Sequence, residues 1–296
     1  MAPDAGGNRE GPVGNMKMRL GILALAVLCA CPVGSFAQSN VINGIAHVAY
    51  RVSDLDKEIA FLEKLGYQES FGFTDAAGKT TEVFIKINDR QFFEVYPQTD
   101  PAQKLGWMHV CYESADIDAL YSALVAHGLK PTPVRKAGAG NMLTTMNDPE
   151  GRTTEFTQYM PGSRHTLDKG LHLGDHRISD QLLGFSLPVP DLDAARKFYA
   201  AGLGFDARDG KNGLRLTIPG APDARIQIRS AAAAATPATL FSVPDAAKAL
   251  QQLQAAGLEP RQDRNRVLVS DPDGNVLAFV APRTHERAPA QSPQPN

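Results

Sequence analysis

The chain has 296 residues, room for two domains of ordinary size, and a formal net charge of −2. Positive and negative residues are mixed along it with no basic stripe, which argues against a nucleic-acid partner. An apolar share of 43% is that of a globular protein and excludes a disordered or fibrous one.

The first element in chain order reads as an export signal. Met16-Lys17-Met18-Arg19 is a short basic region, and Leu20 to Cys31 is an apolar run too short for a membrane span. Ser35-Phe36-Ala37 is a small-x-small site for cleavage after Ala37, followed at once by polar Gln38-Ser39-Asn40. Residues 1–37 are therefore expected to be a signal peptide, with Met16 or Met18 as the expected start, because the polar, glycine-rich residues before them suit no signal. Leu28-Cys29-Ala30-Cys31 is a poor lipobox, so simple export, periplasmic or secreted, ranks above a lipoprotein. Cys29 and Cys31 leave with the signal. Cys111 then stands alone in the mature chain, and no intrachain disulfide can form. The core must hold the fold by itself, which a chain of this size can manage.

From residue 41 onward the same pattern recurs four times. SDLDKEIAFLEKLGY, ADIDALYSALVAHGL, PDLDAARKFYAAGLGF and PDAAKALQQLQAAGL each open with an Asp able to cap a helix, at Asp54, Asp116, Asp191 and Asp245. Each carries apolar residues at helical spacing and closes with a Gly suited to a left-handed terminus, at Gly66, Gly128, Gly204 and Gly257. The Asp-to-Gly spacing is 12 residues in three copies and 13 in the third. Each helix follows a strand-like run and precedes alternating runs. The repeating unit is thus strand, helix, then about three strands. Asp148-Pro149-Glu150-Gly151 and Asp271-Pro272-Asp273-Gly274 are turn sequences closing the last hairpins of the second and fourth units. Pairing of units gives a domain over 41–160 and a second over 179–282. Residues 161–178 form a polar linker, Ala231–Ala235 a connector, and the Pro- and Gln-rich residues 283–296 a disordered tail.

Four residues of the first domain obey the repeat. His47, in GIAHVAY, and His109, in GWMHVCY, are 62 residues apart. Glu94, in QFFEVYP, and Glu155, in RTTEFTQY, are 61 apart. All four interrupt short apolar strands, where a lone carboxylate is costly. A divalent ion pairs well with two carboxylates and two imidazoles. The metal ligands read from this pattern are His47, Glu94, His109 and Glu155, and the ion remains open among Zn, Mn, Fe, Co and Ni.

The pattern resembles the vicinal oxygen chelate superfamily, which includes glyoxalase I, methylmalonyl-CoA epimerase, extradiol dioxygenases, and bleomycin and fosfomycin resistance proteins. The resemblance covers nearly all of the mature chain. It implies an α+β fold of four βαβββ modules paired into two domains, with ligands on the first and last strands of each module. His47 and His109, each seven residues before a capping Asp, match the first-strand positions; Glu94 and Glu155 match the last-strand positions, and Glu155 stands four residues after the Gly of DPEG. In the second domain the matching places hold Gly184, Ala238 and Ala278, with Gln227 the one remaining group able to ligate. That domain is expected to keep the fold and to have lost the metal.

Two His and two Glu leave two positions of a six-coordinate ion for substrate oxygens, with Glu155 or Glu94 as the general base of an isomerase or lyase. An extradiol dioxygenase needs His47, His109 and Glu155, with Glu94 surplus. A third reading is a non-catalytic small-molecule binding protein of the bleomycin-resistance type. Glyoxalase I itself is disfavoured, because its thiol cosubstrate is cytosolic and this chain carries an export pattern. Strand alternation puts Arg51 on the face of His47, Phe92 and Tyr96 on that of Glu94, Trp107 and Cys111 beside His109, and Thr157 and Tyr159 with Glu155. This partly aromatic pocket suits a small oxygenated substrate. Cys111 is read as a small apolar filler, His127 as a helix-end residue, and His165, His172 and His176 as part of a solvated linker. The partners expected are a small-molecule substrate, no nucleic acid and no membrane; a homodimer is left open.

Overall fold

The computed structural model describes residues 41–231 and 236–282. The expected export signal, most of the Ala231–Ala235 connector and the tail from residue 283 lie outside the described residues. Among those described, no helix is long and apolar enough to cross a membrane.

Four βαβββ modules follow one another. The first is Ile42–Val52 (β1), Leu55–Lys64 (α1), Gln68–Thr74 (β2), Thr80–Asn88 (β3) and Gln91–Pro97 (β4). The second is Gly106–Ser114 (β5), Ile117–Ala126 (α2), Arg135–Lys136 (β6), Met142–Asn147 (β7) and Thr153–Gln158 (β8). After a short helix at Arg164–Leu167 (α3), the third runs Leu182–Val189 (β9), Leu192–Arg196 (α4), Asp206–Gly210 (β10), Gly213–Ile218 (β11) and Ala221–Ser230 (β12). The fourth is Ala238–Ser242 (β13), Ala246–Ala255 (α5), Arg261–Asp263 (β14), Arg266–Ser270 (β15) and Val276–Val280 (β16). Each pair of modules makes one eight-stranded sheet, in the orders β2-β3-β4-β1-β5-β8-β7-β6 and β10-β11-β12-β9-β13-β16-β15-β14.

The repeat signals act as their chemistry requires. The side chains of Asp54, Asp116, Asp191 and Asp245 accept backbone N–H groups of the first turns of α1, α2, α4 and α5. Gly66, for instance, closes its helix at φ 85°, and a Cβ there would lie 2.5 Å from the His176 carbonyl oxygen. The extra residue of the third copy is absorbed as a π-helical turn, Lys197–Gly202, that continues α4. Asp148 and Asp271 each use Oδ1 to accept two N–H groups of their DPxG turns.

One apolar core is shared by the two sheets. Phe93 packs on Phe241 at 5.5 Å, Trp107 on Phe185 at 5.4 Å and Tyr112 on Phe205 at 5.3 Å between ring centroids. Polar bridges flank it. The Gln91 amide donates to the Ile45 and Leu182 carbonyls and accepts from Leu182 N–H. Ser53 donates through N and Oγ to Asp273, and His127 Nδ1 meets the Gly202 carbonyl at 2.8 Å. The face of each sheet turned away from this core is its cup face.

Segment 161–178 departs from the solvated linker expected. It packs across the first cup as a strap. His165 is buried among Phe71, Phe84, Phe92 and Tyr159, and Arg164 stacks over Phe73. The fully buried Lys86 ammonium anchors it, bonding Asp168 at 2.8 Å and Asp89 at 2.9 Å. A buried ammonium needs such partners, and one of them, Asp168, comes from the segment whose polar sequence suggested solvent.

The packed domains also bury Glu58 of α1, whose Oε2 has no partner among the described residues. Burial, and then the carboxylates of Asp271 and Asp273, push its carboxyl up to about 9. Between its ordinary value and about 9, the folded chain keeps a proton that the unfolded chain releases. Its contribution to stability therefore falls as pH rises through that window. Glu58→Gln should flatten the decline of Tm from about pH 5 to about pH 9 and raise Tm at the alkaline end by a few degrees. An unchanged slope in thermal melts would contradict this assignment.

Candidate metal centre

β1 lies between β4 and β5, and β8 lies beside β5, so the four central strands carry the four predicted ligands. The registers Ala49↔Glu94, Ala49↔His109 and Cys111↔Glu155 bring these side chains to one level of the cup face. Their tips converge. His109 Nε2 is 2.9 Å from Glu94 Oε2, and His47 Nε2 is 3.1 Å from His109 Nε2, 3.2 Å from Glu94 Oε2 and 3.5 Å from Glu155 Oε1.

The separations among His47, Glu94 and His109 fit a shared divalent ion, and Glu155 reaches that group through His47. Donors about 2.1 Å from one ion stand about 3.0 Å apart at right angles and about 3.4 Å apart at tetrahedral angles. Glu94 Oε2 is buried with no hydrogen bond, an acceptor that a cation would satisfy. Burial opposes the charge on Glu94, but the His47 and His109 rings outweigh it and hold the carboxyl well below its ordinary range. Burial likewise works against protonation of His109, and Glu94 reverses that and raises it.

The two carboxylates differ. Glu94 Oε1 accepts from Tyr96 Oη at 2.8 Å, which leaves Oε2 for the cluster, and its side chain is 7% exposed. Glu155 is 16% exposed. Cys111 Sγ lies within 4.8 Å of donor atoms of His47 and Glu155, which makes His47-Cys111-Glu155 a second cluster of possible ligands. Burial, followed by Glu155 and Glu94, raises the Cys111 thiol well above its usual value.

The remaining pocket residues divide. Arg51 shares the face of His47, is paired with Tyr96, and has a buried Nε without a partner among the described residues. Phe92 is fully buried in the aromatic wall behind His47, paired with it across the strands. Thr157 is buried along the strand from Glu155, and Tyr159 donates to the Arg90 carbonyl and leans on His165. Trp107 is not in the pocket. Tyr50 pairs with Trp107 and Ala49 with His109, so Met108 is an extra residue that shifts the alternation. Trp107 turns to the core, against Tyr50 and Phe185. Strict alternation missed this bulge, and it also missed Phe84, paired with Glu94, and His165, supplied by the strap. His165 Nδ1 faces Asn141 Nδ2 at 2.9 Å, and burial lowers its pKa to about 3, so it sits beside the site as a neutral ring.

Tyr96→Phe frees Glu94 Oε1 and should weaken metal binding about tenfold in a chelator competition, the cost usual for loss of a ligand's supporting bond. Cys111→Ala should leave binding unchanged. The reverse pattern would move the site toward the sulfur.

Comparison with known proteins follows this geometry. The model of the Glyoxalase/Bleomycin resistance protein/Dioxygenase superfamily matches residues 44–156 and 180–279. No curated protein sequence matches. The Mn(II)-bound glyoxalase from Novosphingobium aromaticivorans is 18% identical, with TM-score 0.60 over 81% of this chain and 82% of its own. The 2,3-dioxygenase LapB from Pseudomonas sp. KL28 is 17% identical, with TM-score 0.62 over 83% of this chain and 96% of its own. With both of its double-module halves matched, the chain belongs to the Glyoxalase/Bleomycin resistance protein/Dioxygenase superfamily.

Proposed function

We propose that the chain is an exported, metal-dependent lyase or isomerase of the glyoxalase and epimerase type, acting on a small oxygenated substrate in the first cup. The observation that carries this reading is the place of Glu94. Its Oε2 sits between both imidazoles, inside the donor cluster, with Glu155 completing a set of two His and two Glu. A dioxygenase site built on His47, His109 and Glu155 needs that place open.

His47, Glu94, His109 and Glu155 would hold the ion. When bound, a divalent ion supplies Lewis-acid polarisation of a substrate carbonyl or hydroxyl oxygen. Glu94, tied by Tyr96 and both rings, serves as a fixed ligand. Glu155, more accessible and without that tie, is the group to accept a proton from a carbon acid and return it. Phe84, Phe92 and the neutral His165 keep water from one side, and the guanidinium of Arg51 is placed to orient an oxygen-rich or anionic substituent. The export pattern at residues 1–37 supports action outside the cytosol.

The dioxygenase reading keeps one supporting observation, the fold similarity to LapB. The two separate by chemistry. A carbon-acid enzyme exchanges a substrate C–H for deuterium in D2O, readable by NMR over a panel of small 2-hydroxy and 2-oxo acids. Glu155→Gln should slow that exchange by about 10²- to 10⁴-fold while metal content persists. Oxygen uptake with catechol by the iron-loaded chain, improved by Glu94→Ala, would overturn the proposal in favour of ring cleavage.

A further inference from the structure

The second cup has lost more than its ligands. Strand register makes the equivalence residue by residue. Ala49 pairs with Glu94 and His109, and its counterpart Ser186 pairs with Gln227 and Ala238. Cys111 pairs with Glu155, and Leu240 pairs with Ala278. His47, paired with Phe92, corresponds to Gly184, paired with Arg225. A Cβ at Gly184 would lie 2.2 Å from the Arg225 carbonyl oxygen, so the backbone itself excludes a ligand there.

The same registers show what replaced the wall. Phe71, Phe84, Phe92 and Tyr96 line the first cup, and their counterparts are Arg208, Arg215, Arg225 and Arg229. Arg266, paired with Val280, and Arg261, paired with Leu268, face the same side from the other module. Pairing and strand alternation put three carboxylates on this face, Asp206, Asp223 and Asp263, against six guanidinium groups. Asp263 bonds Arg266 at 2.5 Å. Arg229 has a buried Nε with no partner among the described residues, and burial followed by the charge of Arg266 lowers its pKa. A face that is merely solvated would interleave its charges and leave no guanidinium nitrogen buried and unpaired. Beside Arg266 the floor is apolar: Leu183, Leu240 and Ala278, with Leu268 and Val280 packed on them.

We infer that the second cup is a binding site for a small organic anion, its carboxylate held by Arg229 and Arg266 and its apolar body resting on Leu268 and Val280. Guanidinium forks match a carboxylate, and the leucine floor selects against inorganic anions. One fold would then take a cation in its first cup and an anion in its second.

Isothermal titration of the full chain carrying His47→Ala and His109→Ala, which removes the first site as a competitor, tests this with benzoate as probe and benzamide as the uncharged control. The expected result is saturable one-to-one binding of benzoate, none of benzamide, and an about tenfold or greater loss of affinity in Arg229→Gln/Arg266→Gln. Should that variant fail to fold by circular dichroism, Arg215→Gln/Arg225→Gln, at exposed positions, must weaken binding instead. Absence of benzoate binding, equal binding of benzamide, or an affinity indifferent to the arginines would overturn the inference.

Discussion

Glu94, His109 and Glu155 each come within 3.5 Å of His47 on one sheet face, and the rest of the first domain is arranged around that meeting. Alone, such a cluster is a liability, because buried carboxylates lose hydration and their lone pairs lack donors. The strands answer by bringing the rings against Glu94, by giving Tyr96 to its second oxygen, and by leaving a spacing that suits a shared ion. Four adjacent strands must curve for the tips to converge, and the duplicated module supplies that curvature twice.

Duplication also explains why the two cups diverge so cleanly. The shared core ties both sheets through their other faces, so the cup faces are free to change chemistry without disturbing the packing. In the first cup the strap brings His165 and Asp168 over the aromatic wall, locked by Lys86. In the second, arginines stand where those aromatics would be, and Gly184 and Ala238 take the places of the imidazoles. The fold is kept by the convex faces, and function is written on the concave ones.

Much of this was legible in the sequence. Capping Asp residues, terminal Gly residues and DPxG turns act through local backbone chemistry, so they marked four modules directly, and the π turn falls in the third copy, whose spacing is 13 residues. The four residues proposed as ligands stood out because a charged residue inside an apolar strand is conspicuous. Trp107 was placed in the pocket wrongly, because a bulge at Met108 has no strong sequence signal and reverses the facing of what precedes it. The strap was misjudged because Lys86, His165 and Asp168 look solvent-loving singly and become buried only as partners. The arginines of the second cup are scattered over strands and gather only in the folded register.

X-ray absorption at the metal edge of the purified chain, reconstituted with manganese or zinc, tests the central claim most directly. The account predicts a shell of nitrogen and oxygen at about 2.0–2.2 Å with two imidazole contributions and no sulfur. A sulfur scatterer at about 2.3 Å, or failure to retain any divalent metal, would contradict the assignment of His47, Glu94, His109 and Glu155 as the ligands.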